Sequence, residues 1–246
     1  MGKTKIEWCD KVWNPVTGCT PISEGCQNCY AERMARRLAG RFGYPMRGGF
    51  AVTLHEDKIE EPAKWVKPRR IFVCSMADLF HEDVDEQWIR DIFHIMDIHR
   101  RHTYLLLTKR PGRMAAFIRK DRLDMAKDYP HVWLGVTAEN QARADERIPI
   151  LLQIPAAKRF VSIEPMLGPI YAYPYLGCTG MPDCLFCETA GKKLDWIILG
   201  QETGPGARKA EWFNSIIGQC KSAGVPVFVK KSPEGVEIIR DFPARD

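Results

Sequence analysis

The sequence lacks the long hydrophobic runs of membrane and secreted proteins. No stretch approaches the roughly 18 consecutive apolar residues of a transmembrane helix, and the opening MGKTKIEWCD contains no apolar signal-peptide core. Internal repeats, low-complexity segments and Gly/Ser linkers are lacking as well. We therefore expect a cytoplasmic protein without a membrane partner, folded as one domain over residues 1–246.

A large excess of one charge is also missing. The 36 Lys and Arg residues against 31 Asp and Glu residues give +5, which permits a nucleic-acid partner without requiring one. The chain is 45% hydrophobic and 27% charged, which excludes a disordered, collagen-like or coiled-coil protein. Its length suits one α/β barrel, which commonly takes about 200–250 residues.

Short apolar segments alternate with amphipathic ones along the chain. Strands are predicted over 50–54, 71–74, 104–108, 132–136, 159–163, 196–199 and 225–229, with a weaker one over 11–13. Helices are predicted over 28–38, 86–99, 113–125, 139–152 and 210–222. This alternation predicts an α/β fold with a parallel sheet, and specifically a (β/α) barrel that is partial or full depending on the number of strands.

Polar residues follow the predicted strands. In parallel α/β folds the carboxyl ends of the strands meet at one edge, where functional sites gather. The residues concerned are His55, Glu56, Ser75, Asp78, Lys109, Arg110, Thr137, Glu139, Glu164, Gln201, Glu202, Lys230 and Lys231. They are expected to ring one mouth of the barrel, although loops between strands and helices are polar for structural reasons too.

Nine cysteines are present, and six fall into two tight triplets. In the first, Cys19, Cys26 and Cys29 have the spacing C-x6-C-x2-C in a loop that enters a predicted helix. Three thiolates here could hold three corners of an iron–sulfur cluster and leave one iron open to a substrate. Zinc is the alternative, but it needs a fourth Cys or His, which would have to come from a distant segment.

The second triplet, Cys178, Cys184 and Cys187, has the spacing C-x5-C-x2-C. It lies in a Cys-rich insertion over 165–195 that shows no helical period, so a loop of this length needs an organiser of its own. A structural zinc with Cys220 or another residue as fourth ligand and a second iron–sulfur cluster are both compatible with the spacing. Three free thiols are the structural alternative.

The motifs of the first triplet carry a resemblance to a known family. Asn14-Pro15, Gly18-Cys19, Gly25-Cys26 and Cys29-Tyr30-Ala31 resemble the cluster loop of radical S-adenosylmethionine (SAM) enzymes, especially the branch related to spore photoproduct lyase. Over nearly its whole length, the chain resembles the phage-associated three-Cys-motif proteins, which are radical-SAM-like. The motifs are IEWCDKVWNPVTGC, CQNCYAERMARR, MADLFHEDV, LLLTKRPGRM, WLGVTAENQ, VSIEPMLGPI and LGQETGPGAR.

The resemblance implies a [4Fe–4S] cluster on Cys19, Cys26 and Cys29, with SAM bound to the open iron. One-electron reduction by a reductant protein would then cleave SAM to methionine and a 5′-deoxyadenosyl radical. It also implies a three-Cys-motif partner protein. The expected activity is that of a radical SAM enzyme acting on nucleic acid or a nucleotide. The alternatives are a non-catalytic structural or redox-sensing module and a zinc-dependent nucleic-acid-binding module.

Eight residues are candidates for cofactor binding: Tyr30, Ser75, Asp78, Lys109, Thr137, Glu164, Gly200 and Glu202. Lys109 would pair with the SAM carboxylate or simply cap a loop. Glu164 would take ribose hydroxyls or form a buried ion pair. The glycine-rich turn that begins at Gly200 would let backbone amides approach an anionic or adenosyl group.

A basic segment follows the first triplet and contains Arg33, Arg36, Arg37, Arg41 and Arg47. Arg33 and Arg37 share a helical face through their i,i+4 spacing. Such a surface would suit a phosphodiester substrate, whereas a solvated charged face is the structural alternative.

Overall fold

The apolar segments form the strands of the computed structural model, which describes residues 4–46, 49–177, 192–202 and 209–244. The strands are β1 (Lys11–Trp13), β2 (Val16–Thr17), β3 (Thr53–Leu54), β4 (Arg70–Val73), β5 (Thr103–Thr108), β6 (Val132–Thr137), β7 (Arg159–Met166), β8 (Trp196–Gln201) and β9 (Val227–Lys231). The helices are α1 (Tyr30–Leu38), α2 (Glu56–Ile59), α3 (Glu86–Ile98), α4 (Pro111–Lys120), α5 (Gln141–Gln153) and α6 (Ala210–Ala223). All five predicted helices are present, with bounds shifted by a few residues.

Seven strands form one parallel sheet in the order β1-β4-β5-β6-β7-β8-β9. The sheet curls into a half-barrel, which confirms the prediction of an α/β fold with a partial barrel. The weak candidate at 11–13 is a real strand that pairs with β4 at one edge. Because all seven strands are parallel, their carboxyl ends lie at the same edge of the sheet.

The predicted barrel strand over 50–54 was wrong. Only Thr53–Leu54 is extended, and it pairs antiparallel with β2 in a separate two-stranded sheet. The pattern indicated burial correctly, because Val52 and Leu54 pack against the main hydrophobic core. Apolar periodicity reports which residues are buried, but it does not specify the strand with which a segment pairs.

The helices cover the sheet with apolar faces, and two of them, α3 and α5, begin at polar caps. The side chain of Asp85 accepts a hydrogen bond from the Gln87 amide at the start of α3. Asn140 caps α5 in the same way by accepting from the Arg143 amide. Such caps satisfy backbone donors that the first helical turn leaves unpaired, so α3 and α5 each begin at a defined residue.

The insertion predicted over 165–195 is described only at its two ends. β7 continues to Met166, so the irregular segment begins later than the sequence indicated. The chain then packs onto α6, where the Gln219 side-chain oxygen accepts from the Ala172 amide at 2.6 Å. Residues 178–191, with the second cysteine triplet, lie outside the described residues. A single domain over 1–246 stays a prediction.

Candidate metal centre

The first cysteine loop runs from β2 to α1 and is anchored at both ends. Gly18 has a φ of +95°, and a Cβ there would lie 2.0 Å from the backbone of the neighbouring segment. The Cys19 amide donates to the Phe50 carbonyl at 3.0 Å. At the other end, Cys29 is the residue before α1, and its amide donates to the Cys26 carbonyl at 3.2 Å. The backbone therefore fixes where all three cysteines enter the site.

All three cysteines line one cavity of about 190 Å³ at the carboxyl ends of β4, β5 and β6. Of the predicted cofactor-binding residues, four line the same cavity: Ser75, Asp78, Lys109 and Thr137. These residues are far apart in sequence and meet only because the strands before them are neighbours in the sheet. We call this half of the mouth the cysteine side.

Two basic side chains reach the thiols from the end of β5. The Nζ atom of Lys109 lies 3.6 Å from Sγ of Cys26, and Nη1 of Arg110 lies 3.6 Å from Sγ of Cys19. The Arg110 side chain is only 5% exposed, so water screens its charge little. Cations this close to sulfur favour thiolates and an anionic metal–thiolate group.

The two thiols have different proton affinities. At Cys26, burial raises the pKa, but Lys109 and hydrogen bonds from the loop backbone and Ser23 outweigh that effect, so the pKa is lowered from its usual value. At Cys19, burial and the nearby carboxylate of Asp78 raise the pKa to about 11, against the opposing effect of Arg110. Thiolate formation without a metal is therefore easier at Cys26.

Asp78 is a buried carboxylate that orients the basic pair. Its Oδ1 accepts from the Thr108 hydroxyl at 2.7 Å. Its Oδ2 accepts from the Lys109 amide at 3.0 Å and from Arg110 Nη1 at 3.3 Å. Glu82 holds the other edge of the Arg110 guanidinium, with Oε2 at 2.8 Å from Nε. Asp78 therefore acts on the cavity through the residues at the end of β5.

The sequence did not single out three residues of this side as cofactor-binding: Arg110, Glu139 and Arg147. Glu139 lies two residues beyond β6, is fully buried and pairs with both Lys109 and Arg147. The sequence pointed to Glu139 only through its place in the polar ring. A charged residue close behind a strand with six buried residues needs partners that compensate its charge. Arg147 lies on α5, outside that ring, and carried no comparable signal.

The remaining predicted cofactor residues lie elsewhere. Glu164 is within β7 and accepts from Lys230 Nζ at 2.7 Å. Gly200 is within β8, where a Cβ would lie 2.6 Å from the Glu164 carboxyl carbon. Glu202 follows β8 and accepts from Asn28 Nδ2 of the cysteine loop at 2.7 Å. These residues form what we call the β8 side of the mouth.

Tyr30 was among the candidates for cofactor binding. Its ring begins α1 and is 62% exposed, and it does not line the cavity among the described residues. Cys220, suggested as a fourth ligand for the second triplet, is fully buried on the inner face of α6. The prediction of zinc or a second cluster on Cys178, Cys184 and Cys187 falls outside the described residues.

The donor set of the first triplet is compatible with an iron–sulfur cluster. Within the described ranges, no three Cys, His, Asp or Glu side chains converge closely enough to hold one metal ion. Tetrahedral zinc requires every sulfur at about 2.3 Å from one point, whereas each cysteine of an iron–sulfur cluster binds a different iron. Three thiols that line one cavity, two of them beside a cation, are compatible with the second arrangement.

A family model described as "Protein of unknown function (DUF5131)" matches residues 3–238. The chain belongs to this family. None of the curated proteins matches the chain significantly.

The fold is similar to that of spore photoproduct lyase, a radical SAM enzyme. A mutant of the lyase with dinucleoside spore photoproduct superposes with a TM-score of 0.52 at 13% identity, over 81% of this chain and 58% of that one. The lyase complexed with the same dinucleoside gives 0.51 at 12% identity, over 80% and 57%. The chain thus spans less than two thirds of these proteins, and at this identity the similarity shows the fold alone. The phage association and the partner protein stay predictions. No described helix is long and apolar enough to cross a membrane.

Proposed function

We propose that the chain is a radical SAM enzyme that binds a [4Fe–4S] cluster on Cys19, Cys26 and Cys29 and acts on nucleic acid or a nucleotide. The observation that carries the proposal is the meeting of three thiols on one cavity, at the carboxyl end of a half-barrel of the radical SAM type. Metal-binding loops and substrates gather at this edge because the strand ends and their loops converge there.

Together, a cluster and SAM supply a 5′-deoxyadenosyl radical when a reductant protein provides one electron and methionine is released. The chain's own residues bind and orient these groups. Lys109 and Arg110 balance the negative charge of the thiolates and, in the case of Lys109, of the SAM carboxylate. Ser75 and Thr137 contribute hydroxyls to the same cavity.

The β8 side is the proposed place for the adenosyl part of SAM. Glu164 is half-buried beside Lys230, and both side chains are about a quarter exposed, so the carboxylate remains accessible to ribose hydroxyls. Because Gly200 has no side chain, the Glu164 carboxyl group can occupy the space beside it. Glu202 connects this side to the cysteine loop through Asn28, which gives a route by which SAM and the loop can influence each other.

The exposed face of α1 supports a nucleic-acid substrate. Tyr30, Arg33 and Arg37 follow one another at i, i+3 and i+7 and therefore share a stripe of the helix; all three are exposed. Arginines attract phosphates, and an exposed aromatic ring can stack on an unpaired base. The helix starts directly after Cys29, so this stripe begins beside the cysteine loop. The dinucleoside bound by the lyase is a nucleic-acid lesion and is consistent with this substrate class.

Anaerobic reconstitution with iron and sulfide tests the proposal. We expect a brown protein whose spectrum changes on addition of SAM, and 5′-deoxyadenosine as a product after reduction. Cys26→Ala should abolish the product and lower the iron content by about four atoms per chain, since one cysteine of a three-cysteine set is lost. Iron and zinc counts for Cys187→Ala assign the metal of the second triplet.

Cys9→Ala is the matched control. This thiol is buried in a hydrophobic cluster with Trp8 and Leu105 and is not among the described residues that line the cysteine cavity, so iron content and product should be unchanged. A reconstituted protein whose spectrum does not change on addition of SAM would instead be a structural or redox-sensing module. A colourless protein that retains only zinc would be a zinc-dependent binding module. Either result contradicts the proposed enzymatic function.

A further inference from the structure

Glu139 is the most enclosed carboxylate of the cysteine side. Its side chain is 0% exposed, and an ionised carboxylate this far from water must be compensated by partners. Its Oε2 pairs with Nη1 of Arg147 at 2.9 Å. Its Oε1 pairs with Nζ of Lys109 at 2.6 Å and accepts from the Ser23 hydroxyl at 2.5 Å. The carboxylate therefore joins α5, the end of β5 and the cysteine loop.

The loop also contacts the same side chain through its backbone. A Cβ on Gly25 would lie 2.4 Å from Cγ of Glu139, which is closer than atoms can approach. Position 25 thus has room only for glycine while Glu139 keeps its place. Gly25 lies directly before Cys26, and Ser23 lies three residues before Cys26. Both contacts with Glu139 are therefore made by the segment that leads into this cysteine.

Both loop contacts reach across the molecule. Ser23 and Glu139 are 116 residues apart in sequence, and the Ser23 hydroxyl also lies 3.8 Å from Sγ of Cys26. On its other side, Lys109 extends from Glu139 to the same sulfur at 3.6 Å. The two side chains described within hydrogen-bond distance of this thiol, Ser23 and Lys109, are therefore both bonded to Glu139.

We infer that Glu139 is a positioning residue that clasps the cysteine loop through Ser23 and Gly25 and holds Lys109 toward the cavity. It touches no substrate and acts through these partners. The metal-related consequence rests on the proposed function: the clasp fixes the position of Cys26 for the cluster and that of Lys109 for SAM. The clasp itself is a property of the chain without metal.

Hydrogen exchange on the metal-free protein tests the clasp directly. In Glu139→Gln we expect amides of the loop over 19–29 to exchange about tenfold faster, the effect of losing a charge-assisted hydrogen bond. Amides of α3 should keep their rates. Glu139→Gln leaves the buried Arg147 and the partly buried Lys109 without that carboxylate. Ser23→Ala, which removes only the loop contact, is therefore the second variant and should show the same local change.

The two substitutions should be non-additive. If Glu139 acts on the loop through Ser23, the double variant exchanges no faster in the loop than Glu139→Gln alone. Glu237→Gln is the matched control, because that carboxylate also bonds a cation on a helix, Lys221 of α6, but is exposed and neither member of the pair belongs to the loop. Unchanged loop exchange in both single variants, or equal acceleration across the whole chain, would overturn the clasp.

The reconstituted protein provides the second readout. Iron release to a chelator should be several-fold faster in Ser23→Ala. In Glu139→Gln, SAM should change the electron paramagnetic resonance spectrum of the reduced cluster less, because Lys109 is no longer held toward the cavity. If the wild-type chain binds no cluster but the exchange results hold, the proposed function fails and the clasp stands. If it binds a cluster and SAM while loop exchange is insensitive to both variants, the clasp fails alone.

Discussion

The two sides of the mouth differ in how completely their polar groups are bonded to one another. On the cysteine side, Asp78, Arg110 and Glu139 are buried and each has several partners within the protein. On the β8 side, Glu164 and Lys230 pair with each other and about a quarter of each side chain is exposed. Buried, mutually bonded groups hold a fixed geometry, which suits a permanent metal centre, whereas an exposed pair can exchange partners when a substrate binds.

The contrast assigns separate tasks to the two sides. Substitutions on the cysteine side should affect metal content and stability together, because the same buried contacts serve both. Substitutions on the β8 side should affect SAM binding and leave metal content unchanged. The predictions below test this separation.

The largest effect is expected for Asp78→Asn. The amide cannot accept charge-assisted bonds as strongly from Arg110 and the end of β5, so a buried guanidinium loses part of its compensation. Glu82 still pairs with Arg110, and the free energy of unfolding should therefore fall by about 3 kcal/mol, at the lower end for a broken buried pair. Denaturant unfolding measures this, with iron content falling in parallel. Unaltered stability would show that the polar groups of the cysteine side do not depend on one another more than those of the β8 side.

Gly25→Ala should have the next largest effect. The added methyl group overlaps Glu139, and overpacking of this kind costs about 1–3 kcal/mol. We expect a matching loss of stability and incomplete iron loading. Gly218→Ala is the matched control: it lies inside α6 with nothing within 4 Å of the new Cβ, so alanine should stabilise the helix by up to about 1 kcal/mol. If both variants behaved alike, the loop would not approach Glu139 closely.

A smaller effect is expected in thiol reactivity on the metal-free chain. The lowered pKa of Cys26 gives it a larger thiolate fraction at neutral pH than Cys19, whose pKa is raised to about 11. Because the thiolate is the nucleophile, iodoacetamide should modify Cys26 before Cys19, and the difference should shrink as the pH rises. Peptide mass spectrometry follows both sites. Faster labelling of Cys19 would contradict the assigned charge environments.

The smallest change in stability is expected on the β8 side. Glu164→Gln removes a partly exposed ion pair with Lys230, which contributes at most about 1 kcal/mol. Iron content should stay at the wild-type level, while the affinity for SAM falls several-fold. Calorimetric titration of the reconstituted protein measures the affinity. A parallel loss of iron would show that the two sides are not separable.

Much of the fold could be predicted because strands and helices leave local signatures. Six of the eight predicted strands match the parallel sheet closely, and the weak segment at 11–13 is its edge strand. The prediction for 50–54 failed because Thr53–Leu54 pairs with β2 in a separate sheet and not with a strand of the main sheet. A hydrophobic pattern encodes which residues are buried, whereas the choice of the partner strand depends on long-range contacts.

The candidate site was predictable in its position but not in its internal bonding. The rule that polar residues after parallel strands converge placed Ser75, Asp78, Lys109 and Thr137 at one cavity. It could not distinguish Asp78, which is occupied by protein donors, from a residue open to ligand. It also gave no weight to Arg147, whose contact with Glu139 depends on how α5 packs over the end of β6.

The sequence by itself determined the alternation of strands and helices, the cysteine spacing and the placement of Cys29 at the start of a helix, since each follows from local periodicity, capping and chain connectivity. Only the tertiary structure decided that Lys109 and Arg110 face two different thiols and that one buried carboxylate bonds to residues from three segments. The reason is physical: the compensation of a buried charge depends on distances between segments far apart in the chain, and no local pattern records those distances.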